Sequence, residues 1–193
     1  SASGGLPSSV RWAQLILQDR LRPGDIAIDA TMGNGHDTLF LTQCVSPGGH
    51  VYAFDVQAAA LVETRKRVPS DMTTLFHAGH ETMVANVPAE HHGRIAAIMF
   101  NLGYLPGSDK ACITQTETTL AALQQAIELL RPGGILTIAV YPGHDGGAQE
   151  SREIAKWAAG LDSRRLRRAP GRCDQPLLRL HGGQAHRARR HAR

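Results

Sequence analysis

Short apolar runs alternate along the chain with segments in which apolar residues recur every three or four positions. The unbroken apolar runs are typical of parallel strands covered on both faces, and the helical spacing predicts amphipathic helices between them. This alternation predicts an α/β domain with a doubly wound, mostly parallel sheet. The expected strands lie at 26–30, 50–55, 73–76, 94–101 and 135–140. The expected helices lie at 9–21, 38–46, 58–68, 114–130 and 149–161.

The turn after the first expected strand carries the densest candidate chemistry. Gly33 and Gly35 permit positive φ and a close ligand approach, and backbone N–H groups at the following helix start would face that ligand. Thr38 stands where G-x-G-x-x-G needs a third small residue, which disfavours a nicotinamide dinucleotide. An acid four residues before Gly-x-Gly resembles the loop of S-adenosylmethionine-dependent methyltransferases, with Thr31 in place of the usual first glycine. This resemblance predicts cofactor contacts from Asp29, Thr31, Gly33, Asn34, Gly35, Asp37 and Thr38; a purely structural turn is the alternative.

Two further strand ends are expected to complete the cofactor site. Asp55 ends the second strand, where an acid can accept hydrogen bonds from the ribose hydroxyls of an adenosine ligand, and Gln57 stands beside it. A cap on the following helix is the alternative role for Asp55. His80 and Glu81 follow the third strand and are expected near the adenine, with surface capping as their alternative.

The fourth strand ends in Asn101-Leu-Gly-Tyr104, which predicts the chemical half of the site. The pattern resembles the Asn-Pro-Pro-Tyr motif of amino-group methyltransferases, with Leu102 and Gly103 replacing the two prolines. Asn101 would accept an amine N–H and direct the nitrogen lone pair, and Tyr104 would stack on the base. An ordinary turn at a strand end is the alternative.

Two later loops are expected to face the same site. The first carries Asp109 and Lys110, and the second, after the fifth strand, carries Tyr141 and His144. Lys110 and Tyr141 are predicted to contact the substrate together with Leu102, Gly103 and Tyr104. Asp109 or His144 is predicted to carry the lost proton to water. Glycine-rich turns also carry such residues without function.

Composition restricts the classes of protein to which the chain can belong. With 193 residues and 42% hydrophobic content, one substantial core is expected, so 1–183 is predicted to form a single domain and 184–193 a basic disordered tail. No apolar run approaches a membrane span and no signal peptide is recognisable, which predicts a soluble, cytoplasmic protein. The three cysteines lack C-x-x-C spacing and no carboxylate-rich cage accompanies the ten histidines, so no metal is expected.

The charge of the chain is divided unevenly between its two parts. Residues 1–163 carry a net charge of −5, whereas residues 164–193 hold ten arginines and one aspartate, a net charge of +9. This asymmetry predicts an acidic partner such as RNA, with a solubilising tail as the alternative.

Four blocks together resemble one family more closely than methyltransferases in general: D-A-T-M-G-N-G-H-D-T-L-F-L at 29–41, F-H-A-G-H-E at 76–81, F-N-L-G-Y-L-P-G-S-D-K at 100–110 and Y-P-G-H-D-G-G at 141–147. The resemblance covers roughly 10–163. It is to bacterial proteins described as rRNA methylases and associated with methylation of 5-aminomethyl-2-thiouridine at the tRNA wobble position.

The resemblance implies a Rossmann-like class I methyltransferase fold with a seven-stranded sheet, S-adenosylmethionine as cofactor and the tRNA anticodon loop as partner. It implies N-methylation of the 5-aminomethyl group, a primary amine. Alternatives are an rRNA methyltransferase, a small-molecule amine methyltransferase and a non-catalytic RNA-binding protein. A homodimer is an open alternative to a monomer.

The C-terminal region departs from the family pattern. Members end in two recognisable strands, whereas Arg167, Arg168 and Arg172 occupy positions where apolar residues are expected. The segment 175–178 is predicted to begin the last strand of a shortened hairpin. Substrate contacts from this region are therefore not predicted.

Overall fold

The computed structural model describes residues 9–102, 116–140, 147–161 and 177–181. These residues alternate between helices and strands along the chain, as the apolar pattern predicts. The helices are α1 (Ser9–Arg20), α2 (His36–Val45), α3 (Ala58–Arg67), α4 (Met83–Asn86), α5 (Thr116–Leu129) and α6 (Gly147–Gly160), with 3-10 turns at His80–Thr82 and Ala89–His91. The strands are β1 (Ile26–Asp29), β2 (His50–Asp55), β3 (Thr73–His77), β4 (Ile95–Leu102), β5 (Leu130–Val140) and β6 (Leu177–His181).

The strands form one sheet in the order β3-β2-β1-β4-β5-β6. Each neighbouring pair is parallel. The described part of the chain thus contains six strands, and the implied count of seven is not met there. The strand order reverses between β1 and β4, and ligands of open α/β sheets bind outside the carboxyl ends of the strands at such a point.

Helices cover both faces of the sheet, which explains the nearly continuous apolar strands. On one face, Phe54 and Phe100 pack with Leu123 of α5 and Ile154 of α6. On the other face, residues such as Ala97 and Met99 pack with side chains of α1 and α2, among them Leu17 and Leu41. The prediction of a doubly wound α/β fold is confirmed.

The fifth strand begins five residues earlier than the apolar pattern predicts. Residues 131–134 were expected to form the turn that ends α5, yet β5 runs from Leu130 to Val140. Leu130 pairs with Ile95, and the register then shifts before Ala97 pairs with Ile135. Pro132, Gly133 and Gly134 fall in this irregular stretch, so turn-forming residues are accommodated within the strand.

The last strand begins inside the predicted segment. Residues 177–181 form β6, which pairs in parallel with β5 from Ile135 to Ala139. The substituted arginines at 167, 168 and 172 and the predicted tail at 184–193 lie outside the described residues. Within the described ranges, no helix is long and apolar enough to cross a membrane.

Candidate active site

The carboxyl ends of β1, β2 and β4 bring the predicted polar residues together. Asp29 ends β1, Asp55 ends β2 and Asn101 is the penultimate residue of β4. These three strands are neighbours in the sheet, with β1 in the centre. The expectation that residues distant in sequence meet at this edge is confirmed.

The glycine turn between β1 and α2 adopts the predicted backbone conformation. Gly33 has φ 53° and Gly35 has φ 86°. A Cβ on Gly35 would stand 2.7 Å from Oγ1 of Thr64, so this position requires glycine for space as well as for φ. Helix α2 begins at His36, two residues before the predicted start, and Gly35 caps it without a side-chain hydrogen bond. Its first N–H groups can therefore serve a ligand.

Asp55 and α3 hold the turn from outside. Asp55 Oδ2 accepts the Gly33 N–H at 2.9 Å, and Oδ1 accepts the Gln57 N–H at 2.9 Å. Thr64 Oγ1 donates to the Gly33 carbonyl at 3.1 Å, and Arg67 Nε donates to the Asn34 carbonyl at 2.8 Å. Asp55 thus tethers the start of α3 at Gln57, the alternative role considered for it. Each carboxylate oxygen has a second lone pair, so ribose hydroxyls remain possible partners.

Asp29 and Thr38 hold the turn from inside. Thr38 Oγ1 donates to Asp29 Oδ2 at 2.7 Å, and the Thr31 N–H donates to Oδ1 at 3.2 Å. Burial, together with the neighbouring carboxylates of Asp37 and Asp55, raises the pKa of Asp29 to about 7. Neither Asp29 nor Thr38 has exposed surface. Both side chains therefore support the turn, and the predicted contact of Asp29 and Thr38 with a cofactor stays a prediction.

His80 and Glu81 lie in the 3-10 turn at His80–Thr82, and His80 contacts the residue that follows β1. His80 Nδ1 donates to the Ala30 carbonyl at 3.1 Å, which leaves Nε2 as the acceptor of a neutral ring. Burial lowers the pKa of His80, which favours that neutral form. Gln125 of α5 holds this loop by donating to the Glu81 carbonyl and accepting the Val84 N–H. The contact of His80 and Glu81 with adenine stays a prediction.

Asn101 is held by groups from β1 and α2. Its backbone N–H donates to Thr31 Oγ1 at 2.7 Å, and its Nδ2 donates to Asp37 Oδ2 at 2.7 Å. Asp37 Oδ1 accepts a hydrogen bond from Gln14 Nε2 at 3.1 Å. Asn101 Oδ1 is buried and has no hydrogen-bond partner among the described residues. The predicted amine contact requires an acceptor of this kind, and the contact itself stays a prediction.

The remaining predicted substrate contacts stay predictions. The Leu102 side chain is fully buried in the hydrophobic core, so a contact with the substrate would come from its backbone carbonyl. The other predicted residues lie outside the described ranges: Gly103, Tyr104, Asp109, Lys110, Tyr141 and His144.

The sequence reasoning missed two polar residues that the structure makes prominent. Gln14 lies in the helix expected at 9–21, to which the sequence pattern assigns no role at the site, yet its side chain reaches Asp37. Nothing in the local pattern indicates this contact, because Asp37 lies 23 residues away along the chain. Glu150 is buried in the first turn of α6, and its Oε1 has no partner among the described residues. Burial raises the pKa of Glu150 to about 7.

The described part of the chain contains no group of three or more His, Cys, Asp or Glu residues arranged to hold a metal ion. The described residues of this edge offer an open helix start, carboxylates and the amide oxygen of Asn101, which has no partner among them. Strand order, glycine turn and acidic strand ends together define a nucleotide-binding α/β protein of the doubly wound class.

The chain belongs to the family described as "Putative rRNA methylase", whose model matches residues 51–170. Over 169 residues it is 36% identical to a chloroplastic tRNA (mnm5s2U34)-methyltransferase of Arabidopsis thaliana, covering 81% of this chain. The chain spans only 61% of that relative's length. A shorter match of 68 residues is 32% identical to the ribosomal RNA small subunit methyltransferase H 1 of Lachnoclostridium phytofermentans and covers 35% of this chain and 19% of that relative.

Two solved structures are similar to this chain throughout most of their length. A protein from Clostridium thermocellum described as a "putative rRNA-methylase" aligns with a TM-score of 0.77 at 36% identity, covering 83% of this chain and 86% of the other. A protein from Streptococcus mutans described as a "putative methyltransferase", solved in complex with SAH, aligns with a TM-score of 0.71 at 36% identity and with the same coverage. The resemblance inferred from the four sequence blocks is confirmed at the level of the family.

Proposed function

We propose that this chain is an S-adenosylmethionine-dependent tRNA methyltransferase that N-methylates the 5-aminomethyl group of (2-thio)uridine at the wobble position. The observation that carries the proposal is the buried Oδ1 of Asn101 beside the glycine turn, which has no hydrogen-bond partner among the described residues. The Arabidopsis relative, whose name specifies this nucleoside, supports the choice of substrate. The Streptococcus mutans structure in complex with SAH supports the cofactor.

The residues of the edge fit S-adenosylmethionine. Gly33 and Gly35 let the backbone approach a ligand, the N-terminus of α2 has no side-chain cap, and Asp55 retains lone pairs for ribose hydroxyls. Asp37 and Asp55 place negative charge around the turn, which suits a cation. His80 Nε2 is an acceptor for the adenine amino group. When bound, this cofactor supplies an electrophilic methyl group on a positively charged sulfur.

The amine substrate must be neutral when it reacts, because an ammonium has no lone pair. Asn101 Oδ1 accepts one amine N–H and so directs the lone pair toward the methyl group. Burial of the amine beside a cation lowers its pKa and favours the neutral form. The nitrogen gains a methyl group and loses one proton, which Asp109 or His144 passes to water; Tyr104 stacks on the uracil ring. Lys110 and Tyr141 complete the proposed substrate contacts.

The arginine-rich region supports an RNA partner. Residues 164–193 carry a net charge of +9, so phosphate contacts should make tRNA affinity steeply dependent on salt. In the proposed organisation, 1–183 is one methyltransferase domain and 184–193 a basic tail. Truncation after Gly183 should make tRNA affinity less steeply dependent on salt concentration. An unchanged dependence would show that the tail does not contribute to RNA binding.

Methyl transfer from labelled cofactor to total tRNA, followed by nucleoside analysis, tests the function. The expected product is 5-methylaminomethyl-(2-thio)uridine, and its rate of formation should rise with pH until the bound amine is neutral.

Asn101→Ala should retain cofactor affinity while the rate of methyl transfer falls roughly a hundredfold, as loss of a positioning contact can do. Label in rRNA alone would favour the rRNA alternative suggested by the 68-residue match. Cofactor binding without transfer would indicate a non-catalytic RNA-binding protein.

A further inference from the structure

A chain of hydrogen bonds runs from α1 through Asp37 to the NH2 group of Asn101. Gln14 Nε2 donates to Asp37 Oδ1 at 3.1 Å, and Asn101 Nδ2 donates to Asp37 Oδ2 at 2.7 Å. Arg11 Nη1 donates to Gln14 Oε1 at 3.4 Å, which directs the other end of that amide, its NH2 group, toward Asp37. Each Asp37 oxygen thus accepts one hydrogen bond from a side-chain NH2 group, and both oxygens of a carboxylate can accept in this way.

This arrangement decides which end of the Asn101 amide faces Asp37 and which end is turned away from it. The oxygen and the NH2 group of an asparagine are nearly equal in size, so hydrogen-bond partners determine its orientation. A carboxylate only accepts hydrogen bonds, so the NH2 group must face Asp37. The amide oxygen is then turned away from Asp37 and is buried without a partner among the described residues.

We infer that Asp37 and Gln14 are positioning residues that lock Asn101 with its acceptor toward the substrate, so that the site selects nucleophiles bearing N–H groups. The inference rests on the proposed amine methylation and assigns Asp37 a role other than the cofactor contact predicted from sequence. A flipped amide would present two donors to an amine, leave the amine N–H groups unpaired and compete for its lone pair. Gln14 prevents this by occupying the second Asp37 oxygen, which fixes the carboxylate plane.

A reciprocal exchange separates this role from a merely structural one. In Asp37→Asn, one carboxylate oxygen becomes an NH2 group. Either Asn101 or Gln14 must then turn its amide to face this donor or lose its hydrogen bond to residue 37. When Asp37→Asn is combined with Asn101→Asp, the new amide at position 37 can accept from Gln14 and donate to the new carboxylate at position 101. The second oxygen of that carboxylate still faces the site as an acceptor. The hydrogen-bond pattern is retained while both residues are changed.

The experiment compares kcat for tRNA methylation at pH 8.5 in the full-length wild type, both single variants and the double variant. Calorimetric SAH affinity and melting temperature are measured for each protein. Each single variant should lower kcat by roughly 10- to 100-fold, the range for a hydrogen bond to a charged group, with SAH affinity nearly unchanged. Asn101→Asp alone fails because two carboxylates then face each other. The kcat of the double variant should be at least about tenfold higher than that of the slower single variant.

Gln14 has its own matched control on the same helix. Gln14→Ala should lower kcat several-fold, whereas Gln18→Ala, which changes an exposed glutamine one turn later, should not. If Asp37→Asn keeps the parental kcat, or if the double variant is no faster than the slower single variant, the inference is overturned. The inference is also overturned if the kcat values of the variants simply decrease in step with their melting temperatures.

Side-chain NMR separates this inference from the proposed function. The Asn101 NH2 signals, assigned by their loss in Asn101→Asp, should be protected from exchange in the wild type and lose that protection in Asp37→Ala. If the wild type does not methylate the amine but shows this protection, the proposed substrate is wrong and the amide orientation stands. If the amine is methylated and the NH2 signals are unprotected, the positioning network is wrong and the proposed function stands.

Discussion

Thr31 and Asn101 are joined by a hydrogen bond in which the Asn101 backbone N–H donates to Thr31 Oγ1 at 2.7 Å. The bond connects the end of β4 to the start of the glycine turn, although the residues are 70 positions apart. Thr31 stands where the related methyltransferase loops usually carry a glycine, which has no hydroxyl to offer. The substitution therefore couples the cofactor turn to the residue proposed to hold the amine.

Thr31→Val should break this coupling without changing the side-chain shape. The Asn101 N–H then loses its acceptor, which should cost about 1–3 kcal/mol in the free energy of unfolding. Methyl transfer should also slow, because Asn101 is no longer fixed. Thr31→Ser retains the hydroxyl and serves as the control. Equal stability of the valine and serine variants in urea denaturation would contradict the proposed coupling.

Asp55→Ala should weaken SAH binding by about 1.5–3 kcal/mol, the range for hydrogen bonds to a charged partner. The structure adds a second reason, because Asp55 also accepts the N–H groups of Gly33 and Gln57. Isothermal titration calorimetry measures the effect. Glu63→Ala, which removes an exposed α3 carboxylate paired with Lys66, is the control. An unchanged dissociation constant for Asp55→Ala would leave this residue as a support of the turn alone.

Gly35→Ala should be far more damaging than Gly24→Ala. The two glycines have nearly the same φ, 86° and 88°, so backbone strain is matched at about 1–2 kcal/mol. A Cβ at Gly24 meets nothing within 4 Å, whereas at Gly35 it would lie 2.7 to 2.9 Å from atoms of Thr64. Gly35→Ala should therefore lose additional stability and SAH affinity. Equal melting temperatures for the two variants would show that the turn yields without cost.

Glu150→Gln should stabilise the protein increasingly as pH rises. Burial raises the pKa of Glu150 from 4.5 to about 7 in the folded state. Below pH 4.5 the group is protonated in both states; above it, the unfolded chain ionises first, and wild-type stability falls until about pH 7. The variant should gain about 1–3 kcal/mol over the wild type between pH 4.5 and 8, because glutamine does not ionise, whereas the buried glutamate must acquire a desolvated charge. A constant difference across this pH range would disprove the shift.

The sequence by itself determined the alternation of strands and helices, because continuous apolar runs and helical spacing are local properties of the chain. It also placed Asp29, Asp55 and Asn101 at strand ends, and parallel strands bring their carboxyl ends to one edge. The early start of β5 was not predictable in this way. Pro132 and Gly133 signal a turn locally, but pairing of Leu130 with Ile95 outweighs that signal.

Only the tertiary structure decided what each polar side chain does at that edge. Asp29 and Thr38 belong to the cofactor motif in sequence, yet the fold buries them behind the turn. Gln14 belongs to a packing helix in sequence, yet α1 brings it to Asp37. The physical reason is that hydrogen-bond partners lie tens of residues apart along the chain. Packing of α1 and α2 on the sheet sets which donor meets which acceptor, and so which end of the Asn101 amide faces Asp37.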